Sequence, residues 1–351
     1  MGFFIAFQDD ITMNKQQHTY QFKGGLQLES GKVIRDFPLA YTTLGTLNAT
    51  KSNVVWIFHA MTANSDPADW WQGMVGEGKC FDPAKHFIIC VNMPGSCYGS
   101  VSPMDKNSET GERYYQDFPF FTPLDMVKAF DQLRLHLGIE NIFVGVGGSM
   151  GGQQLIAWAG WKPSLFQHII PIATNAFHSP WGKAFNASQR MSIEADPSWK
   201  EKNQAAGMEG LKVARSIALI SYRHYETYDK TQQDKDKAIE NTRSESYQKY
   251  QGEKLAKRFN ALSYYILTKS MDSHHLGRGV MEAEEILERI ESKTLVIGIS
   301  SDLLYPVNEQ QFLAKHIPGA RLEIIESFYG HDGFLLEDEK LTTIFKAFLN
   351  I

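Results

Sequence analysis

The sequence predicts an α/β fold in which a mostly parallel central sheet is flanked by helices and interrupted by a helical insertion. Three observations predict it. Short, mostly apolar runs at residues 53–58, 87–92, 142–146, 168–173, 294–300 and 321–325 read as strands, most of them buried on both faces, with helix-forming stretches between several of them. Gly147-Gly148-Ser149-Met150-Gly151 forms a G-x-S-x-G pattern between one such strand and an Ala- and Trp-rich run at 155–161 that reads as a buried helix. From about 177 to 283 the character changes to Lys, Glu, Gln and Tyr among helix formers, with little that reads as a strand.

In order along the chain, residues 20–44 alternate apolar and polar positions around glycines and read as antiparallel strands at a sheet edge. Residues 53–58 read as a central strand running into His59-Ala60-Met61-Thr62, a loop where His59 is expected to be structural. After Asp69-Trp70-Trp71, a glycine-rich link and the 87–92 strand, the turn at 94–100 is expected to border the site, as loops at the carboxyl ends of parallel strands do. Thr122 and Pro123 open an amphipathic helix predicted to end at Gly138. The charged run at 229–237 reads as a solvated face, and the neighbours His274 and His275 would point apart on a helix, so no metal is expected.

The serine pattern carries the chemistry. A turn from strand to helix within so few residues strains Ser149 and lifts its hydroxyl above the sheet, making it the expected nucleophile. Asp302 follows a later strand and His331 sits in a glycine loop after the last one. The order Ser, Asp, His is that of the α/β-hydrolase fold, with Asp302 orienting the general base His331. In that fold one oxyanion amide follows the nucleophile and another comes from the loop after an earlier strand, here Met150 and Met61. The core is assigned to residues 13–176 and 284–351 and the cap to 177–283. Residues 1–12 are read as an N-terminal extension, with Met13 as an alternative start.

Composition excludes several classes. The chain has 351 residues with 43% hydrophobic content, enough for a full core without disulfides. A net charge of -5 without any basic block argues against nucleic acid or anionic membranes as the main partner. Three cysteines without C-x-x-C spacing suit reduced, cytoplasmic thiols. The short apolar start runs into Asp9 and Asp10 and is a poor signal peptide, and Ala6 breaks a myristoylation motif.

Further stretches give the chain a more specific likeness. His59-Ala60-Met61-Thr62, Asp69-Trp70-Trp71, Cys97-Tyr98-Gly99-Ser100, Asp117-Phe118-Pro119, Gly147 to Gly152, Ala214-Arg215, Ser221-Tyr222-Arg223, Tyr250 to Glu253, Ser301-Asp302 and Gly330-His331-Asp332 together resemble the homoserine O-acetyltransferase family, from about Met13 to the end. The resemblance implies acetyl transfer from acetyl-CoA, a co-substrate rather than a bound cofactor, to the hydroxyl of L-homoserine, in methionine biosynthesis. It implies that Arg215 grips the substrate carboxylate, that Asp332 holds its amine, that Tyr222 and Thr62 lie in the same site, and that homodimers form through the cap. Ser102 and Asn260 depart from the family pattern. Succinyl transfer, L-serine as acceptor, and plain hydrolysis by an esterase remain alternatives. No Arg or Lys between His59 and Ser65 offers a partner for a succinyl carboxylate, which favours acetyl.

Overall fold

The computed structural model describes residues 14–234, 236 and 239–351. The expected N-terminal extension and the alternative start at Met13 lie outside the described residues, as do Lys235 and Lys237 of the charged run. Eight strands form one sheet among the described residues: β1 (Gln16–Gln27), β2 (Val33–Leu44), β3 (Val54–Phe58), β4 (Phe87–Val91), β5 (Ile142–Gly148), β6 (Phe166–Ile172), β7 (Lys293–Ile299) and β8 (Arg321–Ile325). Their order is β1-β2-β4-β3-β5-β6-β7-β8. The pairs β1/β2 and β2/β4 are antiparallel and the rest parallel, as the α/β-hydrolase reading requires.

The helices are α1 (Pro67–Trp70), α2 (Pro123–His136), α3 (Met150–Trp161), α4 (Pro180–Glu194), α5 (Met208–Tyr222), α6 (Tyr225–Thr231), α7 (Arg243–Ala256), α8 (Ala261–Asp272), α9 (Ala283–Leu287), α10 (Val307–His316), α11 (Gly333–Leu336) and α12 (Asp338–Leu349). Six consecutive helices, α4 to α9, fall between β6 and β7, so an all-helical segment interrupts the sheet.

The residue pattern explains these layers. Strand β3 is buried throughout, and its side chains alternate between two cores. Val54, Trp56 and Phe58 pack into the cluster that holds Trp158 and Phe130. Val55 and Ile57 pack into the opposite cluster with Leu341 and Phe345 of α12. Helix α2 begins where expected because Thr122 and Asp125 cap each other: Asp125 N donates to Thr122 Oγ1 and Thr122 N to Asp125 Oδ2. Strand β1 begins four residues before the predicted edge strand. It lies at the sheet edge with most of its side chains exposed, so its first residues carry no apolar signal.

Helix α3 lies directly against the sheet because glycines face it. A Cβ on Gly145 would stand 2.6 Å from Leu155, and one on Gly151 only 2.2 Å from the Phe58 carbonyl oxygen. Backbone cannot yield as a side-chain tip can. Gly151→Ala is therefore expected to cost about 1–3 kcal/mol, read as a lower urea midpoint at unchanged slope.

Candidate active site

Ser149 stands between β5 and α3 with φ 57° and ψ -127°, a left-handed backbone that a non-glycine residue rarely adopts. Such a residue costs on the order of 1–3 kcal/mol and needs surroundings that over-determine it. Here Ser149 N donates to the Ile172 carbonyl at 3.0 Å, and Thr174 Oγ1 donates to the Ser149 carbonyl at 2.9 Å. The flanking glycines serve close approach: a Cβ on Gly147 would lie 2.7 Å from the Gly151 backbone, and one on Gly148 2.5 Å from the Phe334 ring. The amide of Met150, first residue of α3, has no acceptor within its helix. Met61 lines the same cavity as Ser149.

Asp302 and His331 meet behind that cavity. Asp302 Oδ2 lies 2.6 Å from His331 Nδ1, while Asp302 Oδ1 accepts from the amides of Leu304 and Tyr305 at 2.8 and 2.9 Å. The carboxylate is thus fixed on both oxygens, and the ring's Nε2 is left for the cavity side. Burial disfavours a charged His331, but the charge and hydrogen bond of Asp302, helped by Asp332 and Glu309, outweigh it and raise the pKa above 6.5.

His331 occupies a tight 3-10 turn, Gly330–Asp332, instead of the loose glycine loop expected from sequence. The reason is Gly330, with φ 65°, where a Cβ would stand 2.7 Å from His224 N and 2.9 Å from the Tyr222 carbonyl. The end of α5 presses on this turn. His331, whose ring stacks on Tyr305 at 5.2 Å, is buried as a result.

A polar cluster that sequence reasoning missed supports this arrangement. Gln153 Nε2 reaches Tyr305 Oη at 3.3 Å and Asn175 Oδ1 at 3.1 Å, and Asn175 Nδ2 donates to Glu309 Oε2 at 2.9 Å. Burial, reinforced by the charge of Asp302, pushes the Glu309 carboxyl up to about 7, against the opposing hydrogen bond from Asn175. Glu309, Asn175 and Gln153 belong to no motif, and only their hydrogen bonds to one another connect them.

The cavity has a volume of about 630 Å³. Ser149 and His331 line it with four residues that the resemblance named: Arg215, Tyr222, Thr62 and Asp332. Arg215 lies over the Tyr222 ring, 5.5 Å from its centroid. Asp332 is not a lone anion, because Arg223 Nε sits 2.9 Å from its Oδ2. Arg223 was visible in the sequence only as part of a matched stretch. A second cation reaches the cavity from a distance. Arg258 Nη1 donates to the Thr62 carbonyl at 2.5 Å and to Tyr98 Oη at 2.6 Å. The cation-free 59–65 segment therefore has an arginine against it in space, which removes the sequence argument for acetyl over succinyl.

The loops bordering the cavity are tied together by Asn92. Its Oδ1 accepts from Ser65 N at 2.7 Å and its Nδ2 donates to the Tyr98 carbonyl at 2.7 Å. His59 joins the same frame: its Nε2 accepts from Met93 N at 3.1 Å, so its Nδ1 donates to the Ala60 carbonyl at 2.8 Å. Burial lowers its pKa to about 4, so it is a neutral tie between loops. Of the two departures, Ser102 binds Asp105 within its own turn and Asn260 caps α8 through Ser263 N. Among the described residues no group of three or more potential metal ligands occurs. His274 Nε2 bonds the Asn175 carbonyl and His275 stacks on Phe177.

A strained serine between strand and helix, with an Asp–His pair brought over the same sheet end, defines the α/β-hydrolase class, and the alpha/beta hydrolase fold family matches residues 53–338. The homoserine O-acetyltransferase of Cyclobacterium marinum is 44% identical over 338 residues, 96% of each chain. The chain belongs to the homoserine O-acetyltransferase family. The crystal structure of homoserine O-acetyltransferase from Bacillus anthracis matches with a TM-score of 0.87 at 25% identity, covering 96% of this chain and 98% of that one. An acetylester hydrolase from Corynebacterium glutamicum matches with a TM-score of 0.85 at 27% identity, over 96% of both chains.

Glu309 makes stability depend on pH. An unfolded glutamate releases its proton near 4.5 and native Glu309 at about 7, so the native state loses stability relative to the unfolded one as pH rises between these values. Glu309→Gln is expected to flatten the urea midpoint between about pH 4.5 and 7 and to raise it above pH 7, relative to the parent. An identical pH dependence in the variant would contradict the assignment.

Proposed function

We propose that the protein transfers an acetyl group from acetyl-CoA to the hydroxyl of L-homoserine through an acetyl-Ser149 intermediate. The single observation that carries this reading is the cavity that holds Ser149 and His331 together with Arg215 and Asp332, in a chain 44% identical to a homoserine O-acetyltransferase. His331 Nε2 takes the Ser149 proton as Oγ attacks the thioester carbonyl. The amides of Met61 and Met150 stabilise the oxyanion, and one such donor is typically worth ~3 kcal/mol. The C–S bond breaks and the CoA sulfur takes the proton from His331. Homoserine then gives its hydroxyl proton to His331, its oxygen attacks the acetyl carbon, and Ser149 leaves with that proton. Asp302 holds the imidazole tautomer and stabilises its charged form throughout.

Arg215 receives the homoserine carboxylate and Asp332 its ammonium, with Tyr222 and Thr62 completing the pocket. Arg223 stays beside Asp332 and holds that carboxylate in place before the amine arrives. The helices between β6 and β7 act as the cap of residues 177–283. Exposed Met191 on α4 with Val213 and Ile220 on α5 support a homodimer formed through it. No helix among the described residues is long and apolar enough to cross a membrane, which suits a cytoplasmic enzyme working on two soluble substrates.

Hydrolysis of acetyl esters is the second reading, favoured by the likeness to an acetylester hydrolase. Mixing the protein with acetyl-CoA alone is expected to give one acetyl adduct on Ser149 by mass spectrometry, with CoA release that accelerates on adding homoserine. Release indifferent to homoserine would mean hydrolysis. Ser149→Ala is expected to lose about 10⁴-fold or more in turnover and to form no adduct. Turnover of succinyl-CoA in preference to acetyl-CoA would overturn the choice of donor.

A further inference from the structure

A second cavity of about 460 Å³ adjoins the first, and Arg258 lines both. Cys97, Met208 and Phe259 give it apolar walls, and Lys257 stands at its edge with Arg258. On the other side of Arg258, Lys254 lines the cavity that contains Ser149. Three cations in five residues, at the end of α7 and just beyond it, thus mark a path from one cavity to the other.

Some lysines of the same helical segment have acidic partners, as Lys212 has in Glu209 and Glu253 and Lys249 in Glu245, whereas others such as Lys183 and Lys269 form no ion pair among the described residues. What distinguishes the present three is that they line the two cavities. Lys254, Lys257 and Arg258 form no ion pair among the described residues. The acids lining the two cavities are Asp69 and Asp332, and Asp332 is already engaged by Arg223. Cations in a last helical turn complement the helix dipole, which gives Lys254 and Lys257 a simple purpose. That does not explain Arg258, which leaves its helix to bond Thr62 and Tyr98 on the opposite wall. There it holds a fixed positive charge at the boundary between the cavities.

We propose that Lys254, Lys257 and Arg258 bind the phosphates of the acyl-CoA donor, with the adenosine end lodged in the second cavity. This rests on the acyl-CoA reading above. The acyl and pantetheine parts of the donor are uncharged and suit the passage toward Ser149, whereas its diphosphate and 3′-phosphate need cations. Lysine binds phosphate as a point charge and arginine through paired N–H groups. The first cavity alone, at about 630 Å³, has the size of a site for one drug-like molecule. A donor this long therefore needs its nucleotide to lie outside it. Arg215 lines only the first cavity and is left for the amino-acid carboxylate.

Charge reversal tests this on the full-length protein. Lys254→Glu and Lys257→Glu are exposed changes at a helix C-terminus, and losing the favourable dipole contact should lower their melting temperatures by no more than about a few degrees. Each is expected to lower kcat/KM for acetyl-CoA by about tenfold or more, the equivalent of one charge-assisted hydrogen bond. kcat/KM for S-acetyl-N-acetylcysteamine, a thioester without the nucleotide, should stay unchanged, as should kcat/KM for homoserine. Calorimetry should show adenosine 3′,5′-bisphosphate binding the parent and not the double variant. Unchanged acetyl-CoA kinetics in both variants, an equal loss with both thioesters, or nucleotide binding that survives the double change would each overturn the proposal while leaving acetyl transfer intact. A parent protein that acetylates homoserine from the short thioester but never from acetyl-CoA would instead overturn the acyl-CoA reading, and this site with it.

Discussion

The close approach of the first turn of α3 to the end of β3 governs the rest of the structure. No side chain fits between Gly151 and the Phe58 carbonyl, so the chain must turn from β5 into α3 within a single residue. That residue is Ser149, and its left-handed backbone is the conformational cost of the turn. The cost is offset by packing at a distance: Trp158 on α3 meets Trp56 and Phe166 edge-on, with centroids 4.9 and 5.6 Å apart. The apolar core beneath the sheet end thus holds the serine above it. The same seating places the Met150 amide at the helix start, so the proposed nucleophile and the proposed oxyanion donor are positioned by one contact.

Around His331 the structure assigns unequal environments to three carboxylates. Asp302 has both oxygens bonded and sits against the imidazole. Asp332, one residue on, faces the cavity and is paired with Arg223. Glu309 is half-buried, and the desolvation there pushes its pKa to about 7. Of the three, Asp302 alone is therefore in hydrogen-bond contact with the ring, and Asp332 is paired with arginine. Neither the half-buried Glu309 nor the Arg223–Asp332 pair was legible as a motif.

Much of the sheet was legible because buried parallel strands announce themselves as apolar runs, and β8 begins and ends where the sequence placed it. The strand–Ser149–helix arrangement was legible because its glycines have no substitute at such close range. What the sequence withheld was proximity between distant segments. The 59–65 loop holds no cation of its own, yet Arg258 crosses from the helical segment to the Thr62 carbonyl, 196 positions away. Arg223 was seen as a neighbour of Tyr222 and not as the partner of Asp332, because a helix end and a turn after the last strand share no spacing rule. Gln153 and Asn175 look like ordinary polar residues of a helix and a loop until Gln153 is found bonded to both Asn175 and Tyr305.

These long-range contacts share a geometry. Tyr222 ends α5, Gly330 opens the turn that carries His331, and the backbone of one rests on the other so closely that a methyl group would not fit between them. Thr227 Oγ1 adds a hydrogen bond to the Phe328 carbonyl just before that turn. The helical segment between β6 and β7 is therefore part of the support of His331 as well as a wall of the cavity. A displacement of α5 large enough to widen the cavity would carry Arg215 and Tyr222 with it and loosen the imidazole from Asp302.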